Sequence, residues 1–124
     1  MKHILLVVSI CFFSLTYSQN QAELEKVAYS EYLQSDKELK SLFNSILKGH
    51  DENPEFSIRL KQSQELWLGF RNFELESRFP NSEVNRSSNN NYGICESMFL
   101  TEFTLDRIKY FNTWFNDTTT EPCN

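Results

Sequence analysis

The chain has 124 residues, of which 40% are hydrophobic, and its formal net charge is −5. This length accommodates one domain with one modest core. An acidic balance provides no electrostatic attraction for nucleic acid or anionic lipid, which argues against both classes of partner. It favours encounter with a cationic protein, although simple solubility explains the same charge.

The N-terminus has the pattern of a secretory signal peptide. Residues 1–3 form a short basic start, residues 4–15 are mostly apolar, and residues 16–18 include small residues before a cleavage site. The apolar run is too short for a mature membrane span. We predict a signal peptide over residues 1–18 and a periplasmic or secreted protein without membrane insertion. Loss of Lys2 leaves 17 acidic against 11 basic residues, so the net charge changes from −5 to −6.

Cys11 allows a second interpretation of this segment. In that interpretation the chain is a lipoprotein, cleaved before Cys11 and lipid-anchored there. The bulky Ile10 before the cysteine and the apolar residues that continue after it argue against this alternative.

Apolar residues at helical spacing predict an all-α fold, a small antiparallel bundle of three principal helices. We expect a domain over residues 19–116 and a C-terminal tail over residues 117–124. The expected helices are 21–48, 54–78 and 94–115.

The first helix carries an internal start signal. Ser35 and Glu38 have the spacing of a capping box, so either one continuous or slightly kinked helix spans residues 21–48, or two helices meet at Ser35. We favour the continuous helix because no Gly or Pro interrupts it. Gly49 is expected to end it in the C′ position.

The middle helix is the expected centre of the bundle. Asn53 and Pro54 supply an N-cap and a first-turn proline, and Phe79 before Pro80 ends the helix. Two neighbouring stripes would let it touch two partner helices. The first contains Phe56, Leu60, Ser63, Trp67 and Phe70, with Leu66 and Phe73 beside it; the second contains Gln64, Leu68, Arg71 and Leu75.

Residues 81–93 are polar and rich in asparagine, which predicts a loop that is either functional or disordered. Cys95 and Cys123 would remain after signal cleavage, and an oxidising compartment favours a disulfide between them. However, a helix running to residue 116 would carry the chain about 31 Å from Cys95. The tail back to Cys123 reaches only about 24 Å. The bond therefore requires an early helix end, or Cys95 in the preceding loop.

No arrangement of residues points to catalysis, a metal or a cofactor. His50 is the one histidine after signal cleavage and lies in a linker, where a solvated role is expected. No serine or cysteine has a histidine placed in sequence as a nucleophile pair, and the three glycines are far apart. We expect a protein that is not an enzyme.

Two arginines interrupt the apolar stripes. Arg71 lies on the middle helix, and Arg107 lies among aromatic residues of the last helix. A buried unpaired guanidinium is too costly, so each is expected to pair with an acid or stack on a ring. The candidate acids are Asp36, Glu38, Glu74 and Glu102. An ion pair that fixes helix register is favoured over a partner-binding groove, and Trp67 is expected to pack in the core.

Three short motifs carry a resemblance. They are Asp36-x-x-Leu39 with Phe43, then Leu60-x-x-x-Gln64-x-x-Trp67-x-x-x-Arg71, then Phe103-Thr104-x-x-Arg107. Together they resemble the lysozyme inhibitor LprI-like domain family, whose helices carry Asp-x-x-Leu-Asn-x-x-Tyr, Ala-Gln-x-x-Trp-x-x-Tyr-Arg-Asp and Leu-Thr-x-x-Arg. The resemblance covers residues 36–115 and implies a helical, exported protein. Its candidate binding residues, which could equally be structural, are Asp36, Gln64, Trp67, Arg71 and Arg107.

The chain departs from the family pattern at several positions. Lys40 replaces an asparagine, Phe43 and Phe70 replace tyrosines, and Asn72 replaces an aspartate. Leu75 and Phe99 occupy positions at which the family often carries cysteines. The resemblance therefore implies that an apolar pair replaces a disulfide here, and that Cys95 pairs with Cys123 instead.

The resemblance implies a non-enzymatic binding protein that inhibits lysozyme-type muramidases. We expect the 81–93 loop and exposed acids to form the contact. The alternative is a structural or adaptor module of the cell envelope with an unrelated protein partner. The sequence does not distinguish the partner or the oligomeric state.

Overall fold

The computed structural model describes residues 2–81 and 92–116, with side chains at 19–81 and 92–115. Its elements are α1 (Lys2–Gly49), α2 (Pro54–Arg78) and α3 (Tyr92–Phe111), followed by a π-helical turn at Asn112–Asn116. The described residues contain no strand, so the all-α prediction is confirmed. No helix in this part of the chain is both long enough and apolar enough to cross a membrane.

Helix α1 continues without a break through Ser35. The Ser35 side chain is buried, and its Oγ donates a hydrogen bond to the Tyr32 carbonyl at 2.8 Å. The hydroxyl therefore bonds to its own helix instead of capping a new one, and the two-helix alternative is wrong. The helix also begins at Lys2, before the expected residue 21. The predicted cleavage after residue 18 stays a prediction.

The end of α1 differs from the expected glycine cap. Gly49 does not have the positive φ of a C′ glycine and is the last residue of the helix. Instead, the His50 backbone N–H donates to the Leu47 carbonyl at 3.2 Å. The His50 ring donates through Nδ1 to the Ile46 carbonyl at 2.9 Å, satisfying a carbonyl of the last turn. The linker histidine thus has a structural role that the sequence did not indicate.

Helix α2 has the predicted bounds and caps. The Asn53 side chain accepts a hydrogen bond from the Phe56 N–H at 3.0 Å, and Pro54 occupies the first turn. At the other end, the Phe79 N–H donates to the Leu75 carbonyl at 2.8 Å. The ring of His50 stacks on that of Phe56 at 4.3 Å between centroids, which ties the start of α2 to the end of α1.

Helices α1 and α3 form the closest pair in the bundle and run parallel. Near their beginnings the Glu25 side chain lies directly against Gly93, and further along the Phe43 and Phe111 rings are 6.1 Å apart. Helix α2 runs antiparallel to both. The buried hydrophobic cluster consists of Leu39, Ile46, Leu60, Ile108 and Phe111.

The expectation that α2 is the centre of the bundle is wrong. Its buried residues lie on one face, and they are Leu60, Gln64 and Arg71. The outer side of the first predicted stripe is not covered, since Leu66, Phe70 and Phe73 are 76%, 53% and 73% exposed. Helix α2 therefore packs one face against both neighbours, because the parallel α1–α3 pair leaves a single groove for it.

The far end of α2 packs against the start of α3. The Phe79 ring meets the rings of Tyr92 and Phe99 edge-on, with centroids 5.3 and 6.0 Å apart. The Tyr92 hydroxyl donates to the Pro80 carbonyl at 3.2 Å. Helix α3 therefore begins before the expected residue 94, and most of the predicted 81–93 loop lies outside the described residues.

Replacing Phe111 with alanine is expected to lower the free energy of unfolding by about 3–5 kcal/mol, because a fully buried ring would leave a cavity. Leu33→Ala, at a position that is 49% exposed, is the control and should change it by less than about 0.5 kcal/mol. Chemical denaturation measures both. Equal losses would contradict this placement of the core.

Candidate functional site

The Arg71 guanidinium joins all three helices. Arg71 is 7% exposed, and its Nη1 donates to the Thr104 hydroxyl of α3 at 3.3 Å. The same nitrogen lies 3.6 Å from a carboxylate oxygen of Asp36 on α1. The guanidinium carbon also lies over the rings of Tyr32 and Trp67, at 5.8 and 5.3 Å from their centroids. Arg71 thus meets one of the four candidate acids, Asp36, and also lies over rings, so both expected kinds of compensation are present.

Compensation of the buried charge is incomplete at one atom. Arg71 Nε is buried and has no hydrogen-bond partner within the described part of the chain. Asp36 is also shared, because Lys40 Nζ donates to its other carboxylate oxygen at 2.7 Å. This hydrogen bond and the charge of Asp36 raise the pKa of the exposed Lys40 ammonium above its ordinary value. Asp36 thus links a solvent-facing cation to a buried one.

Arg107 forms a second bridge, from α3 to α2, and no acid among the described residues pairs with it. Its Nε donates to the Gln64 side-chain oxygen at 3.1 Å, and its Nη2 donates to the Ser63 hydroxyl at 3.2 Å. Its guanidinium carbon lies 4.8 and 4.5 Å from the ring centroids of Tyr110 and Phe111. Burial lowers the pKa of this guanidinium below its ordinary value. Ring stacking, one of the two expected solutions, is the one adopted.

Trp67 lies within reach of both cations. Its ring centroid is 5.3 Å from the Arg71 guanidinium carbon and 5.5 Å from that of Arg107. It is partly buried and packs against the hydrophobic cluster, in agreement with the expected packing role. Trp67 therefore connects the two arginine sites into one network, defined here as the arginine–tryptophan network.

The network brings together every candidate binding residue predicted from the sequence. These residues are Asp36, Gln64, Trp67, Arg71 and Arg107. The sequence reasoning did not assign a site role to Thr104 or Ser63, although Thr104 lies in the third motif. Thr104 is fully buried. The available signal was its helical spacing, four residues before Ile108 and seven before Phe111, which places it on an apolar face of α3. Gln64, Arg71 and Thr104 are buried, and their contacts join residues of different helices, so the arrangement is suited to holding helices together.

Two surface depressions lie on either side of Asp106. The smaller, of 230 Å³, is lined by Trp67, Phe103, Asp106, Arg107 and Tyr110. The larger is a shallow groove of 600 Å³ along the outer face of α3. We call it the α3 groove.

The α3 groove combines carboxylates with apolar side chains. Its acids are Glu31 on α1 and Glu102 and Asp106 on α3, all exposed. One cation, Arg78 at the end of α2, also lines the groove, with its guanidinium carbon 5.1 Å from the ring centroid of Phe99. The three carboxylates outnumber this one cation. Its apolar lining includes Met98 and Leu105, which are 59% and 48% exposed. Sequence reasoning missed this groove as a site, because its members are far apart in the chain and only the pairing of α1 with α3 brings them together.

One comparison with known proteins decides the family. A family model described as lysozyme inhibitor LprI matches residues 11–111, most of the chain. The chain belongs to the lysozyme inhibitor LprI family. No curated protein and no solved structure matches the chain.

The three motifs that resemble the LprI family meet in the arginine–tryptophan network. The first contributes Asp36, the second Gln64, Trp67 and Arg71, and the third Thr104 with Arg107. Each motif therefore contains at least one partner in a contact between helices. This gives the residues that carry the LprI resemblance a physical reason for occurring together.

Other predicted features of this LprI-family chain lie at its margins. Cys95 is exposed in the first turn of α3, whereas Cys123 lies outside the described residues, so their disulfide stays a prediction. Neither condition for that bond is met, since Cys95 is helical and helical structure continues to Asn116. Among the described residues, no three His, Cys, Asp or Glu side chains are grouped to hold a metal ion.

Arg71→Met is expected to lower the free energy of unfolding by about 1–3 kcal/mol, because it removes the link from α2 to Asp36 and Thr104. The control is Arg59→Met, since the Arg59–Glu55 pair is 75% exposed on both sides and should contribute less than about 0.5 kcal/mol. Thermal and urea denaturation measure both variants. Unchanged stability in Arg71→Met would contradict a structural role.

Arg107→Lys is expected to lower the free energy of unfolding by about 1 kcal/mol. An ammonium lacks the planar fork that reaches Gln64 and Ser63 together while stacking on rings. Lys109→Arg, at an exposed position of the same helix, is the matched control and should be neutral. Wild-type stability in Arg107→Lys would show that a simple positive charge is sufficient.

Proposed function

We propose that this protein is an exported, non-enzymatic inhibitor of lysozyme-type muramidases. Membership of the lysozyme inhibitor LprI family is the observation that carries the proposal. The pattern of residues 1–18, typical of a signal peptide, supports export. Inhibition by binding requires complementary surfaces and no chemical step by this chain.

The α3 groove is the proposed contact with the muramidase. Glu102 and Asp106 are four residues apart on α3, so their carboxylates lie on one face of the helix. Met98 and Leu105 provide apolar surface beside them. A lysine or arginine of a cationic partner can place its aliphatic stem on the apolar surface and its charge against the carboxylates.

The charge of the whole chain supports the same partner class. A net charge of −5, or −6 without residues 1–18, attracts a cationic protein and speeds encounter at low ionic strength. A cationic lysozyme would therefore be attracted by the negative net charge of the chain and would find carboxylates and apolar surface in the α3 groove. The other proposed contact, the 81–93 loop, lies mostly outside the described residues.

The test is a turbidity assay that follows lysozyme lysis of cell-wall substrate. Micromolar wild-type protein is expected to slow lysis. The double variant Glu102→Lys/Asp106→Lys is expected to raise the inhibitory concentration at least about tenfold, because the introduced lysines would face cationic groups of the lysozyme. The matched control is Glu65→Lys/Glu76→Lys, which makes the same change in net charge on exposed positions of α2. It should change the inhibitory concentration less than about threefold.

Two results would contradict this proposal at different levels. Unchanged lysis at micromolar wild-type protein would rule out lysozyme inhibition. Inhibition that is equally weakened by both double variants would retain the activity but remove the α3 groove as its site, because only overall charge would then matter. Circular dichroism of every variant confirms that the helices are intact.

A further inference from the structure

Gly69 has no structural reason to be glycine within the bundle. It lies in the interior of α2, where glycine disfavours a helix relative to alanine. Its φ is not positive, and a Cβ added at this position would meet nothing within 4 Å. The position therefore neither needs the freedom of glycine nor lacks room for a side chain, which points to a close approach from outside.

The surroundings of Gly69 have the geometry of a helix-packing hole. Leu66, Gly69, Phe70 and Phe73 occupy positions i, i+3, i+4 and i+7, the four corners that receive one side chain of a facing helix. Three corners are exposed apolar side chains, and the fourth is open. The two exposed phenylalanines can also act as knobs. One surface thus carries both halves of a complementary contact.

We propose that this surface, the α2 stripe, binds the α2 stripe of a second copy of the chain. A two-fold axis near Gly69 would bring the stripes face to face, so that each copy supplies a knob and a hole. The small corner at Gly69 permits close approach of the two helices. An isologous pair of this kind uses the same residues on both sides.

The charge of the α2 stripe favours self-association at this surface. In its central part this face carries Gln62, Ser63, Leu66, Gly69, Phe70, Phe73 and Ser77, all uncharged. Toward the start of α2 it continues with Arg59 and Glu55, which pair with each other, and Glu76 lies at its other edge. Two acidic chains repel each other elsewhere, because each carries a net charge of −5. The α2 stripe is therefore a surface on which two copies can meet without placing like charges opposite each other.

The exposed area of the α2 stripe is compatible with a dimer. Leu66, Phe70 and Phe73 are 76%, 53% and 73% exposed, which leaves roughly 400 Å² of apolar side chain open to solvent. A standard interface buries about 800 Å² on each partner, of which somewhat more than half is apolar. The α2 stripe thus supplies most of the apolar area that one side requires.

Sedimentation velocity of the purified protein over a wide concentration range tests this proposal. The wild type is expected to shift from one chain to two as concentration rises. Gly69→Leu fills the hole and Phe73→Asp places a charge beside it, so each should lower the association constant at least about tenfold. Ile58→Asp is the matched control, because Ile58 is 57% exposed on α2 but outside the stripe, and it should dimerise like the wild type.

A wild type that stays monomeric at every concentration would overturn the proposal. A dimer that Gly69→Leu and Phe73→Asp leave unchanged would also overturn it, because association would then use another surface. Helix content by circular dichroism accompanies each measurement. Gly69→Leu is expected to retain or raise helix content, since leucine is a strong helix former and the site has room for its Cβ.

Discussion

The bundle depends on one buried cation. The Arg71 guanidinium leaves water, and its desolvation is offset by Asp36 on α1, Thr104 on α3 and two aromatic rings. These partners come from different helices, so Arg71 meets all of them only when the three helices are in one register. The compensation still stops short at Nε, which has no hydrogen-bond partner among the described residues. Helix placement here is set by the position of a charge as much as by apolar packing.

The interior is correspondingly mixed in polarity. Among the side chains that the structure describes, seven hydrophobic residues are buried and six polar or charged residues are buried with them, so apolar burial alone defines the bundle weakly. The hydrophobic cluster around Phe111 lies where α1 and α3 end, and an aromatic group around Phe79 lies where α3 begins. The arginine–tryptophan network lies between them. Hydrogen bonds and cation–ring contacts thus fix the middle of the bundle, whereas hydrophobic and aromatic packing stabilises its two ends.

Local sequence signals predicted the helices well. Asn53, Pro54 and the Phe79–Pro80 pair gave the bounds of α2 because capping and proline geometry act within a few residues. The need of Arg71 for a partner could also be anticipated, since a cation in an apolar stripe requires one, but the sequence left four acids as candidates and did not single out Asp36. The capping-box pattern at Ser35 does not start a helix, in agreement with the favoured continuous helix, because its hydroxyl has a competing acceptor in the preceding turn.

Tertiary arrangement was less accessible from the sequence. Periodicity shows that α2 has two apolar stripes, but it does not show which stripe a neighbour covers. The contact between α1 and α3 joins residues far apart in the chain, so no local pattern reports it. The α3 groove was missed for the same reason, because Glu31 approaches Glu102 and Asp106 only after this pairing. The LprI resemblance supplied the motif residues without their spatial roles.

The pairing of the first helix with the last also constrains the order of assembly. Helix α1 cannot cover its apolar face with α2 alone, because α2 buries only a few residues. The closest contacts of α1 are with α3. The stable pair therefore forms only after residue 111 is available, and closing so long a loop carries an entropic cost before any gain. A chain shortened before α3 would leave a hairpin without its main partner. Packing of α3 against α1 is therefore the step that completes folding of the bundle.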